Sequence, residues 1–591
     1  MQQVSEPSVA LQQARTEDLT AEEIRDYGCI GEEETGILTL LKGPGCHLLE
    51  GSRGVGKSML LRLAELKLDE NFEADKTVGV YVNFKTSVLL ENDRFSNEYY
   101  SFKIWVMAKI LQAFTNKMLR LGLIEGDTTL APYKRLLNVS DINAYGRSLD
   151  EKIIKLQRLA VTKDEKERRK IEEEIGIEFA DTLNNVEVIT DTIREVCQKI
   201  NVKRVVFLFD EAAHTFIPEQ QKIFFEMVKL LHGDIVSIKV AVYPGVTSYG
   251  GNFEYGQDAI PIQLERYDMY TETSRANSTR FFRQLLNKRV GNSSIAKKIF
   301  QRGEVLDLAV YLSNGNPRAF LHIMSKLERD NEFSVRNVLL ATADYVENEL
   351  TVYHNELSKR LPKLSNIVAL GYDVLRHYII NEIQKKNAGK APAFRKQTVF
   401  FTIEKETEYK IHRAMQLLCY SGLINKVGFV KIRARKTAQR YAINLGLIAS
   451  DRVFAQSFAR QPGDAIKLIS KDDYREFYAT DSTFDELVKA HKETLAPCTN
   501  CGRDRENPQH AGCPYCMQPY PKDSILPSLL EEPIDTLPLP KYILRLISAN
   551  GQFTTIKDVL FTTLEDLQTI HGIGFVRSRM VRNAAEEHIS G

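Results

Sequence analysis

Gly51-Ser52-Arg53-Gly54-Val55-Gly56-Lys57-Ser58 lies between the apolar run Cys46 to Leu49 and the helical pattern SMLLRLAELKL. Glycines at 51, 54 and 56 let the backbone curl, so that its N–H groups and those opening the next helix face a phosphate chain. In such a loop the Lys57 ammonium reaches the β- and γ-phosphates and the Ser58 hydroxyl serves as a ligand of Mg²⁺. The whole stretch, with Ser52, Arg53 and Val55 between the glycines, is the expected nucleotide cradle.

Working outward, the run RVVFLFDE from Arg204 to Glu211 reads as a buried strand that ends in two acids. A carboxylate at Asp210 can hold the Mg²⁺ shell, and Glu211 can polarise an attacking water. VGVYVNFK (Val78 to Lys85) and VSIKVAVY (Val236 to Tyr243) supply further β-branched strands. Strands alternating with helices predict an α/β doubly wound parallel sheet. A helical insertion at about 100–200 includes the charged run Thr162 to Gly176, which reads as a solvated helix face. DEAAH at Asp210 to His214 superficially matches a helicase signature, but the arginine-bearing helicase motifs and a second nucleotide-binding half are missing downstream.

With 591 residues, 43% of them hydrophobic, the chain can bury several cores, and about three to five domains are expected. Lys and Arg number 79 against 78 Asp and Glu, so no global field steers the chain toward nucleic acid, and any basic surface is local. The N-terminus is polar and acidic, without the basic-then-apolar order of a signal peptide, and no run approaches the ~20 apolar residues of a membrane span. A soluble, cytoplasmic protein with no membrane partner is expected.

Four of the eight cysteines form two pairs, Cys498-x-x-Cys501 and Cys513-x-x-Cys516, eleven residues apart. Two such knuckles close a tetrahedral four-thiolate Zn²⁺ site of the structural kind. From Tyr409 to Ser450 there are eight Lys or Arg and no acid, a local phosphate-binding footprint that includes Arg433, Arg435, Lys436 and Arg440. LQTIHGIGFVRSRMV, Leu567 to Val581, resembles a helix-hairpin-helix. Its turn Gly572-Ile573-Gly574 would offer N–H groups to a DNA phosphate, with Arg577 beside it. Arg579 would reinforce that contact, and so would Arg582, although it stands where the family pattern has an apolar residue. The segment from Leu537 also resembles the C-terminal domain of the RNA polymerase α subunit.

The loop, the strand ending in Asp210 and Glu211, the fourth strand and LSNGNPRAFLHIM (Leu312 to Met324) together resemble AAA+ proteins of the origin-recognition and replication-initiator clade, over roughly residues 28 to 450. STAND signalling ATPases share much of this pattern. The resemblance implies Mg²⁺-dependent ATP hydrolysis with Lys57 and Glu211 in catalytic roles. It also implies a turn at Gly315, Pro317 and Arg318 that opens a lid helix and sets Arg318 on the γ-phosphate. The polar sensor after the fourth strand stays open among Tyr243, Thr247 and Ser248, and an arginine finger among Arg266, Arg275, Arg280 and Arg283. The clade further implies a winged helix, here with a helix from Ser365 to Lys385, a short second helix, a third helix EYKIHRAMQLLCYSGLI, and a wing from GFVKIRA and QRYAINL.

The expected division is an N-terminal tail (1–27), the AAA+ core (28–270), a helical lid (271–348), the winged helix (349–450), a connecting segment (451–495), a zinc ribbon (496–522) and a helix-hairpin-helix domain (530–591). An ATP-dependent homo-oligomer on DNA is the expected assembly. The alternatives are a STAND-like ATPase of antiphage defence acting with a separate effector protein, and a transposition-type ATP regulator.

Overall fold

The computed structural model describes residues 15–86, 100–124, 142–212, 218–264, 269–360, 365–388, 397–431, 437–451 and 529–590, apart from 163, 292–293 and 563, together with Leu11, Pro132 and scattered residues between 462 and 517. Five strands, β1 (Cys46–Glu50), β2 (Thr77–Asn83), β3 (Arg204–Asp210), β4 (Val236–Val242) and β5 (Ile260–Gln263), form a parallel sheet in the order β2-β3-β4-β1-β5. Pro261 sits on the edge strand β5, where a missing N–H is tolerated.

The unbroken apolar run of β3 has its reason in what covers each face. Val206 and Leu208 join Leu60, Leu61 and Ala64 of the helix Lys57–Glu70 on one side. Val205, Phe207 and Phe209 pack on the other with Trp105 and Phe114 of the helix Tyr100–Arg120. Both layers are apolar, so no position on the strand is left to alternate with polar residues. The doubly wound parallel sheet of a P-loop ATPase is therefore present.

The insertion between β2 and β3 contains helices Tyr100–Arg120, Ile142–Val161, Glu165–Ile175, Ile177–Asn184 and Val186–Lys199. The charged helix Glu165–Ile175 is capped by Asp164 and buries Ile171 and Ile175 while most of its acids and bases face solvent. A buried ion network ties the insertion to the helix that follows the phosphate loop. Lys117, with 2% of its side chain exposed, lies 2.8 Å from Glu65 and 2.6 Å from Asp69, and Arg120 lies 3.0 Å from Glu65.

The acidic N-terminal stretch carries regular structure between Thr16 and Tyr27. Thr20 and Glu23 form a capping box on the helix Ala21–Tyr27, and Leu19 and Ile24 are buried in the same cluster as Leu60 and Leu61. Its composition carries no sign of this, because two apolar residues suffice to anchor it.

The helices from Glu272 to Tyr345 and the unit that follows share one apolar core, in which Phe282 and Phe320 belong to the same cluster as Val399 and Ile443. In the second unit the expected helix Ser365 to Lys385 runs as Ser365–Asp373, a π-helical turn Val374–Ile379, and Ile380–Ala388. Where a short second helix is expected, the described residues form strand β6 (Phe400–Glu404), whose alternating Phe, Thr and Ile pair with the wing; residues 389–396 lie outside the described set. The helix Tyr409–Ser421 leads to β7 (Ile424–Lys431) and β8 (Thr437–Ile443), and β9 (Phe477–Ala479) completes a sheet ordered β7-β8-β6-β9. The C-terminal unit has its own core of Ile543, Ile547, Leu567, Val581 and Ala585. Among the described residues no helix is long and apolar enough to cross a membrane.

Breaking the buried ion network separates burial from mere charge pairing. Lys117→Met is expected to lower unfolding free energy by about 3 kcal/mol, because it strips a desolvated carboxylate pair of its central cation. Arg120→Ala, whose side chain is 55% exposed, is expected to cost under about 1 kcal/mol. Equal shifts in the denaturant midpoints of the two variants would contradict this account.

Candidate functional site

Strand β1 delivers the chain into the loop, and the loop's shape is set by what lies above it. Gly54 has φ +80°, and a Cβ there would stand 2.7 Å from Asn316 Oδ1 and 3.0 Å from Arg318 Cβ. Gly56, with φ +106°, turns the backbone into the helix Lys57–Glu70. Lys57 is buried and folds back into its own loop, donating to the carbonyls of Gly51 (2.7 Å) and Ser52 (3.0 Å) under the Tyr243 ring, 3.7 Å from its centroid. Burial pulls this ammonium below the usual lysine range, against the opposing fields of Glu211 and Asp210.

Asp210 ends β3 fully buried and accepts hydrogen bonds from Tyr81 Oη (2.8 Å), from the Ser58 side chain and from the Glu211 N–H (3.0 Å). The two residues expected to share Mg²⁺ thus touch each other. Burial, then the nearby Glu17, raises the Asp210 carboxyl above the ordinary range. Glu211 adopts φ +62°, a left-handed conformation that costs a non-glycine residue about 1–2 kcal/mol. That turn takes the chain sharply out of the strand at the position expected to polarise water. Burial and then Asp210 push its carboxyl well above the usual range.

The lid helix Pro317–Asp330 opens directly over the loop. Asn316 caps it, with Oδ1 accepting the N–H groups of Arg318 (3.0 Å) and Ala319 (3.3 Å), while its Nδ2 donates to Arg53 O at 2.7 Å. Arg318 Nε is buried with no hydrogen-bond partner among the described residues. Such a donor suits an anionic ligand over the loop. Arg53 reaches the other way, its guanidinium 4.2 Å from the centroid of Tyr353 on the helix Thr351–Arg360.

Of the three sensor candidates, Tyr243 lies on Lys57, whereas the Thr247 hydroxyl is taken up by the Tyr243 backbone and the Ser248 N–H by Gln221. Arg275 donates to Met269 O, Arg280 pairs with Glu32 and Arg283 with Asp307; Arg266 lies outside the described residues. Sequence reasoning missed Tyr81, Asn316, Lys85 and Glu17. An Asn just before a Pro at the first helical position is a readable cap signal, and Tyr81 shares the pleat face of β2 with Gly79 and Asn83. Glu17 has no local signal at all.

Cys501, Cys513 and Cys516 converge, their sulfurs all within 4.8 Å of one another and Cys501 Sγ 3.6 Å from Cys513 Sγ. Sulfurs around a tetrahedral Zn²⁺ at 2.3 Å stand about 3.8 Å apart, so this donor set fits the metal. Cys498 lies outside the described residues, as do Arg433, Arg435 and Lys436. Arg440 lies on β8 with its guanidinium 5.7 Å from the Phe400 ring centroid. In the C-terminal turn Gly572 has φ +86°, and Arg577 donates to its carbonyl at 2.6 Å. Arg582 turns inward to Thr562 O.

A parallel five-stranded sheet, with a glycine loop after β1 and an acid ending β3, defines a P-loop ATPase fold. Residues 10–309 match the family model ORC-CDC6-like, and the chain belongs to that family. Solved structures similar to it include the Aeropyrum pernix ORC1 protein in complex with DNA, at 13% identity and TM-score 0.30 over 74% of this chain and 94% of that one. The Aeropyrum pernix ORC2 protein, in ADPNP–ADP complexes, is similar at 11% identity and TM-score 0.28 over 76% and 98%. No curated protein sequence matches this chain.

Gly54→Ala tests the loop geometry. The new methyl meets the Asn316 carboxamide in a backbone conformation that alanine disfavours, so a loss of about 1–3 kcal/mol is expected. Thermal unfolding unchanged from wild type would show that the loop and lid are not pressed together as described.

Proposed function

We propose that this chain is an ATP-hydrolysing AAA+ switch that engages DNA, its nucleotide state controlling assembly or partner recruitment. The observation that carries the reading is the convergence of Lys57, Ser58, Asp210 and the unpartnered Arg318 Nε on one loop. Lys57 already donates to two carbonyls, and phosphate oxygens are stronger acceptors that would draw it outward. Ser58 and Asp210, which touch each other, would hold Mg²⁺, which when bound shields phosphate charge. Glu211 is the group to orient water, and Arg318 the one to distinguish a nucleotide with a terminal phosphate from one without.

For DNA the support is the acid-free basic stretch Tyr409 to Ser450, the Gly572 to Gly574 turn with Arg577, and the fit of the cysteine cluster to zinc as a structural clamp. The basic stretch and the turn address phosphates and not base edges, and the zinc clamp would hold its own unit in shape. Replacing Arg433, Arg435 and Lys436 with Gln is expected to flatten the salt dependence of DNA binding by about three units of slope. Unchanged affinity and slope would make the winged unit a protein-docking module.

The enzymatic part is tested by nucleotide binding and turnover side by side. Lys57→Ala is expected to abolish ATP binding, and Glu211→Gln to retain binding while losing hydrolysis at least a hundredfold. Equal ATP affinity in wild type and Lys57→Ala would remove the loop from the reaction. Elemental analysis is expected to find one equivalent of zinc, lost in Cys513→Ser; metal-free wild type purified without chelator would contradict the clamp.

A further inference from the structure

Beside the nucleotide site, on the β2 edge of the sheet, lies a cavity of about 310 Å³ lined by Glu17, Tyr81, Lys85, Arg62, Lys109 and Arg579 among others. Three separate parts of the chain meet there: the N-terminal stretch Thr16 to Leu19, the ATPase core, and the last helix Phe575–Ser590. Arg579 Nη2 donates to Glu17 O at 2.7 Å, and Asn583 Nδ2 donates to Asp18 Oδ1 at 2.7 Å.

The last helix has two unlike faces. Val581, Ala585 and Ile589 belong to the core of its own unit, whereas Arg579, Asn583 and Glu586, spaced three and four apart, line the cavity. A polar stripe of this kind favours reversible docking over permanent burial. What it docks on is the backbone and side chain of a short segment anchored only a few residues further on by Leu19 and Ile24.

Glu17 brings a negative charge into the neighbourhood where the triphosphate is expected. Lys85, Arg318 and Arg15 hold its carboxyl below the usual range in spite of burial, and the same Glu17 raises Asp210 and Glu211. Tyr81 lines the cavity together with Glu17 and donates to Asp210 at 2.8 Å, so the cavity borders the acid expected to hold Mg²⁺, and a bound triphosphate would repel the Glu17 carboxylate.

We propose that Arg15 to Leu19 is an autoinhibitory latch that docks the C-terminal helix Phe575–Ser590 against the nucleotide site, and that ATP with Mg²⁺ displaces Glu17 and frees that helix. The inference rests on the reading of Lys57 and Asp210 as an ATP site, and it goes beyond it by coupling that site to Arg579, a residue of the unit expected to meet DNA. Because coupling is reciprocal, loosening the latch tightens ATP binding by the same factor that ATP loosens the latch.

Hydrogen exchange on the full-length protein, with and without a slowly hydrolysed ATP analogue and Mg²⁺, reads the latch directly. Peptides covering 16–19 and 575–590 are expected to exchange together about tenfold or more faster when the analogue is bound, because the contact that damps local opening of both segments is lost. Asn583→Ala, remote from the phosphates, is expected to loosen residues 16–19 without nucleotide and to lower the Kd for the analogue about fivefold, as is Glu17→Gln. If wild type binds the analogue while both segments keep their protection, and Asn583→Ala leaves the Kd unchanged, the latch is overturned and the ATP site stands. Failure of wild type and both variants to bind the analogue overturns the ATP reading and the latch with it.

Discussion

One carboxamide joins the two halves of the nucleotide site. Asn316 spends its oxygen on the first N–H groups of the lid helix and its nitrogen on the carbonyl of Arg53 in the phosphate loop. The loop must approach so closely for this bond that only a glycine fits at position 54. The lid in turn shares its core with the winged unit. A ligand that moved the loop would therefore pull on the lid through this hydrogen bond, and through the lid on the core it shares.

The charges of the site face one another uneasily. Lys57 is held by neutral carbonyls, Asp210 by hydroxyls, and Glu211 in a backbone conformation that resists it. Desolvation dominates all three groups and pushes each toward its neutral form. A polyanion together with a divalent cation would answer both signs at once.

The parts legible in the sequence are those where geometry dictates residue type within a few positions. Gly54 and Gly56 are needed for positive φ, and β3 is unbroken because both of its faces are covered. Strand β6 was within reach too, since Phe400, Thr402 and Glu404 alternate with Phe401 and Ile403 at the period of a strand. Arg579 was legible as a basic residue beside the C-terminal turn but not as the partner of Glu17, whose contact with it spans more than 550 residues. The buried Lys117 lies in an amphipathic helix where its charge gives no hint of inward placement, which only Glu65 and Asp69 on another helix explain.

Strands β2 and β3 are neighbours in the sheet, paired from Thr77 with Arg204 to Asn83 with Asp210, yet roughly 120 residues separate them along the chain. Closing so long a loop costs entropy before any ladder bond returns it, and contacts of such separation slow folding. During synthesis the phosphate loop leaves the ribosome well before Asp210 exists to face it. The ladder between β2 and β3 can close only once the whole insertion has been made. A newly made chain therefore has its phosphate loop early and gains Asp210, the acid that faces it, only after the insertion has emerged.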